Sequence, residues 1–184
     1  HASYRRQRQM CIRDRAWSKV ESGDGIFSSQ MKSFSSSDAE TWWYLPYDQL
    51  NLELLPTHES IGVILIESEK QAKRRPYHKQ KLCYILSNMR HFALETQRKG
   101  VPVIYVSTNQ QYDEPLLELA QEFGTIHMLR GAERELRLTL APLIEGGAIV
   151  EHPHPGWLTP QSWFTETVGR EPPFRMDRFY RRVR

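Results

Sequence analysis

An aspartate and a glutamine stand side by side at Asp48–Gln49, just past the apolar run Trp42-Trp43-Tyr44-Leu45-Pro46. Together they offer a carboxylate acceptor and an amide that both donates and accepts. That pair suits a heterocycle with mixed hydrogen-bonding edges. A local turn in which Asp48 bonds nearby backbone would use the same residues, and spacing alone leaves both readings open. Glu67 closes the next apolar run, Ile61-Gly62-Val63-Ile64-Leu65-Ile66, either as a ligand acceptor or as a partner for Lys79 or Lys81. Beyond it, Lys70, Lys73, Arg74, Arg75, His78, Lys79 and Lys81 gather near a predicted helix start, where phosphate or carboxylate groups are favoured. The same charges equally suit a solvated loop and helix face.

Other chemistries are excluded by pattern. The chain has no GxGxxG for a dinucleotide, no GxxxxGK[ST] for a nucleoside triphosphate and no GxSxG nucleophile elbow. His152 and His154 flank Pro153 without a carboxylate or cysteine partner, which reads as a solvated loop rather than a metal site. No catalytic and no metal-ligating residue is assigned.

These residues need elements to position them. From Arg75 to Glu95 the apolar residues Leu82, Ile85, Leu86, Met89 and Phe92 follow helical spacing, with Lys79, Gln80, Lys81, Asn88, Arg90 and Glu95 opposite. The spacing predicts a helix over about 77–99, packed on a core and preceded by a polar, basic loop. Apolar runs at 61–67 and 101–107 flank it, so the unit reads strand, helix, strand. A first strand at 42–46, a short helix at 51–55 and helices at 115–123 and 132–144 complete the pattern, with strands at 125–129 and 148–152. Gly124 and Gly146-Gly147 act as helix stops. Strands alternating with helices call for an α/β fold: a Rossmann-like, five-stranded, mostly parallel sheet with helices on both faces. In such sheets ligands bind at the carboxyl ends of the strands, where Asp48, Gln49 and Glu67 fall.

Three segments are expected: a disordered or non-native tail at 1–40, the α/β domain at 41–153, and a linker with the start of a helical region at 154–184. The tail is rich in serine, lacks periodicity, and its Gln9–Arg15 stretch looks like translated adapter sequence. A basic arm touching nucleic acid is the alternative for it. The net charge of +3 is uneven, because residues 1–15 alone carry five arginines against Asp14. The last fourteen residues hold five more against Glu171 and Asp177, so the middle of the chain is mildly acidic and a general nucleic-acid surface is not supported. Trp163, Phe164 and Phe179 read as packing residues rather than a base-stacking platform. The two cysteines, Cys11 and Cys83, form no motif, no apolar run approaches the ~20 residues of a membrane span, and no signal peptide is visible. A cytoplasmic, monomeric protein with no membrane partner is the expectation.

The stretches YDQLNLELLP, IGVILIES, RRPYHKQKLCYILSNMRHFALE, MLRGAERELRLTLAPL, HPGWLTPQSWF and FRMDRFYRRVR, in this order, resemble deoxyribodipyrimidine photolyase-related proteins. These are the iron–sulfur bacterial cryptochromes and photolyases, several of which repair (6-4) photoproducts in DNA. The resemblance runs from about Trp42 to Arg184. It implies the N-terminal domain of a light-dependent DNA repair lyase. FAD, an iron–sulfur cluster and the pocket for UV-damaged DNA would then belong to a following helical domain, which is also this domain's partner. It further implies a ribityl-lumazine antenna site at Asp48, Gln49, Leu50, Gln71 and Ile85. The sequence departs from the family pattern in three places: Tyr47 replaces a common glycine, Gln71 replaces a glutamate, and Arg130-Gly131 replaces an acidic residue and a proline. A stand-alone lumazine- or flavin-binding module and a signalling cryptochrome without repair are the alternatives.

Overall fold

The computed structural model describes residues 39–57 and 60–184. The expected tail lies outside the described residues except for Ala39, which packs against the core, and Glu40, whose N–H donates to Ser60 O. The described chain forms two compact units that meet in sequence between His152 and Pro153.

The first unit is built on five strands in the order β3-β2-β1-β4-β5: β1 Thr41–Tyr44, β2 Ile61–Ser68, β3 Val103–Thr108, β4 Ile126–Leu129 and β5 Ile149–His152. All neighbouring pairs are parallel, so the sheet is fully rather than mostly parallel. A 3₁₀ turn at Leu52–Leu54 links β1 to β2, and Asn51 caps it by accepting from the Glu53 N–H. The helices are α1 Glu69–Lys73, α2 Lys79–Arg98, α3 Asp113–Phe123 and α4 Arg134–Glu145.

Strand alternation divides the core into two layers. Trp42, Tyr44, Ile64, Ile66, Ile126 and Met128 face Leu116 of α3 and Leu136, Leu140 and Leu143 of α4. Trp43, Leu45, Val63, Leu65, Val103 and Leu129 face Met89 and Ala93 of α2. Burial on both faces is why β2 reads as an unbroken apolar run. Each fully buried Val, Leu or Ile in it contributes about 1.5–3 kcal/mol of transfer free energy. Gly62 is required because Trp42, its register partner on β1, lays its ring where a Cβ would sit, with Cε3 only 2.5 Å away.

Two expectations for the region after β2 need correction. The segment following Glu67 is not a plain loop: Ser68 accepts from the Gln71 N–H and starts the short helix α1. Ser68-Glu69-Lys70-Gln71 is a serine N-cap followed three residues later by glutamine, a helix-start pattern present in the sequence. The long helix then begins at Lys79, with the His78 side chain accepting from the Gln80 N–H. Its apolar stripe is only partly core. Met89, Ala93 and Thr96 are buried, whereas Leu82, Ile85 and Leu86 are half-buried.

In the second unit, α5 Gln161–Val168 and α6 Met176–Val183 pack together. Phe164 meets Phe174 and Phe179 at ring separations of 5.6 and 5.3 Å, and Arg182 pairs with Glu166 at 3.1 Å. Phe164 and Phe179 thus pack as expected, while Trp163 is exposed. No helix among the described residues is long and apolar enough to cross a membrane.

Candidate functional site

The chain leaves β1 toward β2 and β3 on one side, then returns to place β4 on the other side of β1. A crevice therefore opens between the loops after β1 and β4, the place where open parallel sheets bind ligands. Here two hydrogen bonds cross it. The Tyr47 hydroxyl donates to Glu133 Oε1 at 2.5 Å, and the Gln49 amide Nε2 donates to Arg130 O at 3.0 Å. Burial, the Glu133 hydrogen bond and the nearby Glu133 and Asp48 charges raise the Tyr47 pKa, so the phenol stays a donor.

Beside this closed crevice lies a solvent-open cleft of roughly 550 Å³ between the C-terminal end of β2 and α2. One wall is apolar: Ile66, Leu82, Ile85, Leu86 and Met89. Three phenols, Tyr47, Tyr77 and Tyr112, line it as well, with Glu133. The half-buried stripe of α2 is thereby explained, because its first two turns face the cleft instead of the sheet. Lys81 also lines the cleft, and its ammonium sits 5.2 Å above the centre of the Tyr77 ring.

Glu67 forms the polar floor. Its alternation phase on β2 places it on the α2 face, fully enclosed, where Arg90 Nε and a second guanidinium nitrogen each donate at 2.7 Å. Tyr105, on the neighbouring strand β3, donates its hydroxyl to the same carboxylate. Burial opposes the Arg90 charge, but the hydrogen bonds and charge of Glu67 outweigh it and raise the Arg90 pKa. Burial and Glu67 likewise hold Tyr105 protonated. Sequence spacing offers Lys79 or Lys81 as the partner of Glu67 and places Arg90 on the solvent face. Arg90 is the partner instead, reaching over from the flank of the helix.

The five residues singled out from the sequence separate in space. Gln71 and Ile85 line the cleft. The Gln71 Oε1 is buried with no hydrogen-bond partner, a cost of about 1–3 kcal/mol unless a guest or water donates to it. Gln49 is buried and engaged with the β4 loop, Asp48 is exposed, and Leu50 packs against the α2-side core. None of these three is among the residues lining the cleft. Tyr47, Tyr77, Tyr112 and Glu133 line it, although sequence reasoning does not single them out as site residues. Three of them are tyrosines in loops or at a helix start, where periodicity carries no signal, and only the third dimension gathers them.

The sequence model of the family described as "Deoxyribodipyrimidine photo-lyase-related protein" matches residues 44–184. The chain belongs to that family. The match takes in every cleft residue and runs through both compact units of this photolyase-related chain. Comparison with curated proteins gives no match.

A second polar cluster lies on the α2 face of β4 and β5. His127 Nδ1 and His152 Nε2 are 2.9 Å apart, and Trp43 packs on both rings at 5.3 and 4.9 Å. His152 is thus engaged with another ring rather than free on a loop, and no group of three or more metal-binding side chains occurs among the described residues.

Proposed function

We propose that this domain is the N-terminal, antenna-type domain of a light-dependent DNA photolyase, with the cleft beside α2 as the seat of a ribityl-lumazine. The observation that carries the reading is the cleft's lining. Apolar side chains and phenols line it together, and Gln71 Oε1 is buried there with no protein hydrogen-bond partner. A bicyclic heterocycle with an N–H edge suits that arrangement. Ile85 and Leu86 would hold its apolar edge, Gln71 would accept from its polar edge, and Tyr47 would close the side toward β4. When bound, such a chromophore supplies light absorption, passing excitation to a flavin. The site residues implied by the family resemblance fit in part, through Gln71 and Ile85.

In this reading the parent protein carries FAD and an iron–sulfur cluster in a following helical domain. Electron transfer from reduced flavin to a (6-4) lesion is performed there, and no residue of the present domain is assigned to that chemistry. The partners are that domain and UV-damaged DNA.

Fluorescence titration of the chain with 6,7-dimethyl-8-ribityllumazine tests the antenna assignment. Saturable binding, weakened tenfold or more by Ile85→Glu with the far-UV circular dichroism unchanged, is the expected result. Ile85 is half-buried, so that variant separates ligand loss from unfolding. Blue-light repair of a (6-4)-containing oligonucleotide by the parent protein tests the enzymatic assignment; a parent that binds flavin yet leaves the lesion intact in light would overturn it.

A further inference from the structure

His152 ends β5 and is the last residue of the first compact unit. Its ring meets that of His127 on β4, away from the cleft, and the contact has a definite geometry. The facing nitrogens are 2.9 Å apart, the ring centres 5.2 Å apart, and the ring planes 22° from parallel. That centre separation is as large as a 2.9 Å nitrogen contact allows, so both nitrogens lie on the line joining the rings. The contact is therefore an in-line, nearly coplanar N–H···N hydrogen bond. A metal ion shared by the two rings would need lone pairs that converge on a third point, and here each points at the other ring.

Counting protons shows what the pair can hold. Two neutral imidazoles carry one N–H each. One of these protons occupies the contact, so the donor ring has a bare outer nitrogen and the acceptor ring keeps its proton on its outer nitrogen. A first added proton goes to the bare outer nitrogen, the donor ring becomes an imidazolium, and the bond becomes charge-assisted. Trp43 packs on both rings, at 5.3 and 4.9 Å between centres, and so offers its π-system to the charge. A second added proton finds only the accepting nitrogen. Both facing nitrogens then carry N–H, two cations stand against each other, and the contact cannot persist.

The charged neighbours are largely engaged with one another. Arg130, just past β4, pairs with Glu151 of β5 at 2.8 Å. His154, beyond β5, accepts from the Gly156 N–H. On the same face α2 contributes Met89 and Ala93 to the core, and its Arg90 is committed to Glu67. His127 and His152 are themselves half-buried, so water reaches the pair.

We infer that His127 and His152 form an acid-operated clasp, which holds the end of β5 to β4 while it carries at most one added proton and opens on the second. Opening removes the side-chain link beside the 2.8 Å backbone bond from Arg130 N–H to His152 O, at the residue where the chain passes into the second unit.

Nuclear magnetic resonance of the full chain with ¹⁵N-labelled histidine tests this. The nitrogen–nitrogen coupling across the hydrogen bond reports the closed clasp, and the ring ¹⁵N shifts count its protons, from about pH 8 to about pH 5, through the ordinary histidine range. His127→Gln and His152→Gln each leave one ring of the two for comparison. At a pH where that remaining ring is fully protonated, the parent pair should still hold one added proton rather than two, with the coupling intact. Further acidification should abolish the coupling as the second proton is taken up, while the far-UV circular dichroism stays unchanged; this loss supports the clasp even if the variants do not fold. His154→Gln should leave the coupling in place. Absence of the coupling at every pH, or uptake of two protons by the parent at the pH that protonates the single rings, would overturn the inference. So would loss of the coupling only together with unfolding of the whole chain.

Discussion

Tyr47 and Glu133, 86 positions apart, are joined by a 2.5 Å hydrogen bond that ties the loop after β1 to the start of α4. The phenol occupies the point where the sheet reverses its strand order, so the crevice is filled by a side chain and the open cleft lies beside it, toward α2. Tyr47→Phe removes the donor and keeps the ring. It is expected to cost about 1 kcal/mol, the ordinary net value for a partly solvated hydrogen bond, read from the shift in urea midpoint. Glu133→Gln, which keeps an acceptor, should cost less; the opposite ranking would show that the bond does not hold the loops.

The Glu67–Arg90 pair should behave as a buried charge pair. Arg90→Met leaves a carboxylate enclosed with only Tyr105 to serve it, and is expected to destabilise the fold by about 3–5 kcal/mol. The double variant Glu67→Leu with Arg90→Met should recover much of that loss, because neither charge then remains to be desolvated. Chemical denaturation of the two singles and the double forms a complete cycle. Additive losses would contradict the direct pairing seen at 2.7 Å.

Gly62 and Trp42 make a steric pair on adjacent strands. A Cβ at position 62 would lie 2.5 Å from Trp42 Cε3 in a fully packed layer. Gly62→Ala should therefore lower stability by about 1–3 kcal/mol through overpacking. Trp42→Leu carries its own cavity cost, but adding Gly62→Ala to it should cost little more. Thermal melts of the four chains measure the coupling, and an undiminished Gly62→Ala penalty in the Trp42→Leu background would refute the clash.

Alkaline titration gives a fourth check. Tyr44, Tyr47, Tyr105 and Tyr112 all have raised pKa values, burial being the first cause in each and neighbouring carboxylates or phenols the next. A folded chain therefore holds protons that the unfolded chain releases above about pH 10. Stability contributed by these phenols is complete below that pH and is lost as the pH climbs past it. Of the eight tyrosines in the chain, these four should stay un-ionised until the fold melts, seen as a delayed, cooperative step in phenolate absorbance. A single smooth titration of all the tyrosines near pH 10 would contradict their burial.

Much of the site's scaffold is legible in the residues themselves. The apolar run at β2, the glycine stops and the helical spacing of Leu82 to Phe92 all report local geometry, and each element appears within a few positions of its expected place. The short helix α1 is legible too, through Ser68 and Gln71, but the charged residues around them resemble a loop. What periodicity does not convey is how far the stripe of α2 is covered. Ile85 and Leu86 have the spacing of core residues, and they are half-exposed because the sheet beneath them ends at Ser68.

The α/β class, the order of elements and the apolar stripe of α2 all follow from the linear chain, because backbone propensity, capping and side-chain period act over a few residues. Packing in three dimensions was needed to establish that Arg90, not Lys79 or Lys81, neutralises Glu67, and that His127 meets His152. The same holds for the bond from Tyr47 to Glu133 across the reversed strand order. Those contacts join residues 23, 25 and 86 positions apart. They depend on strand order and on the rotation of α2 over the sheet, which are set by packing of the whole core and leave no local signature in the chain.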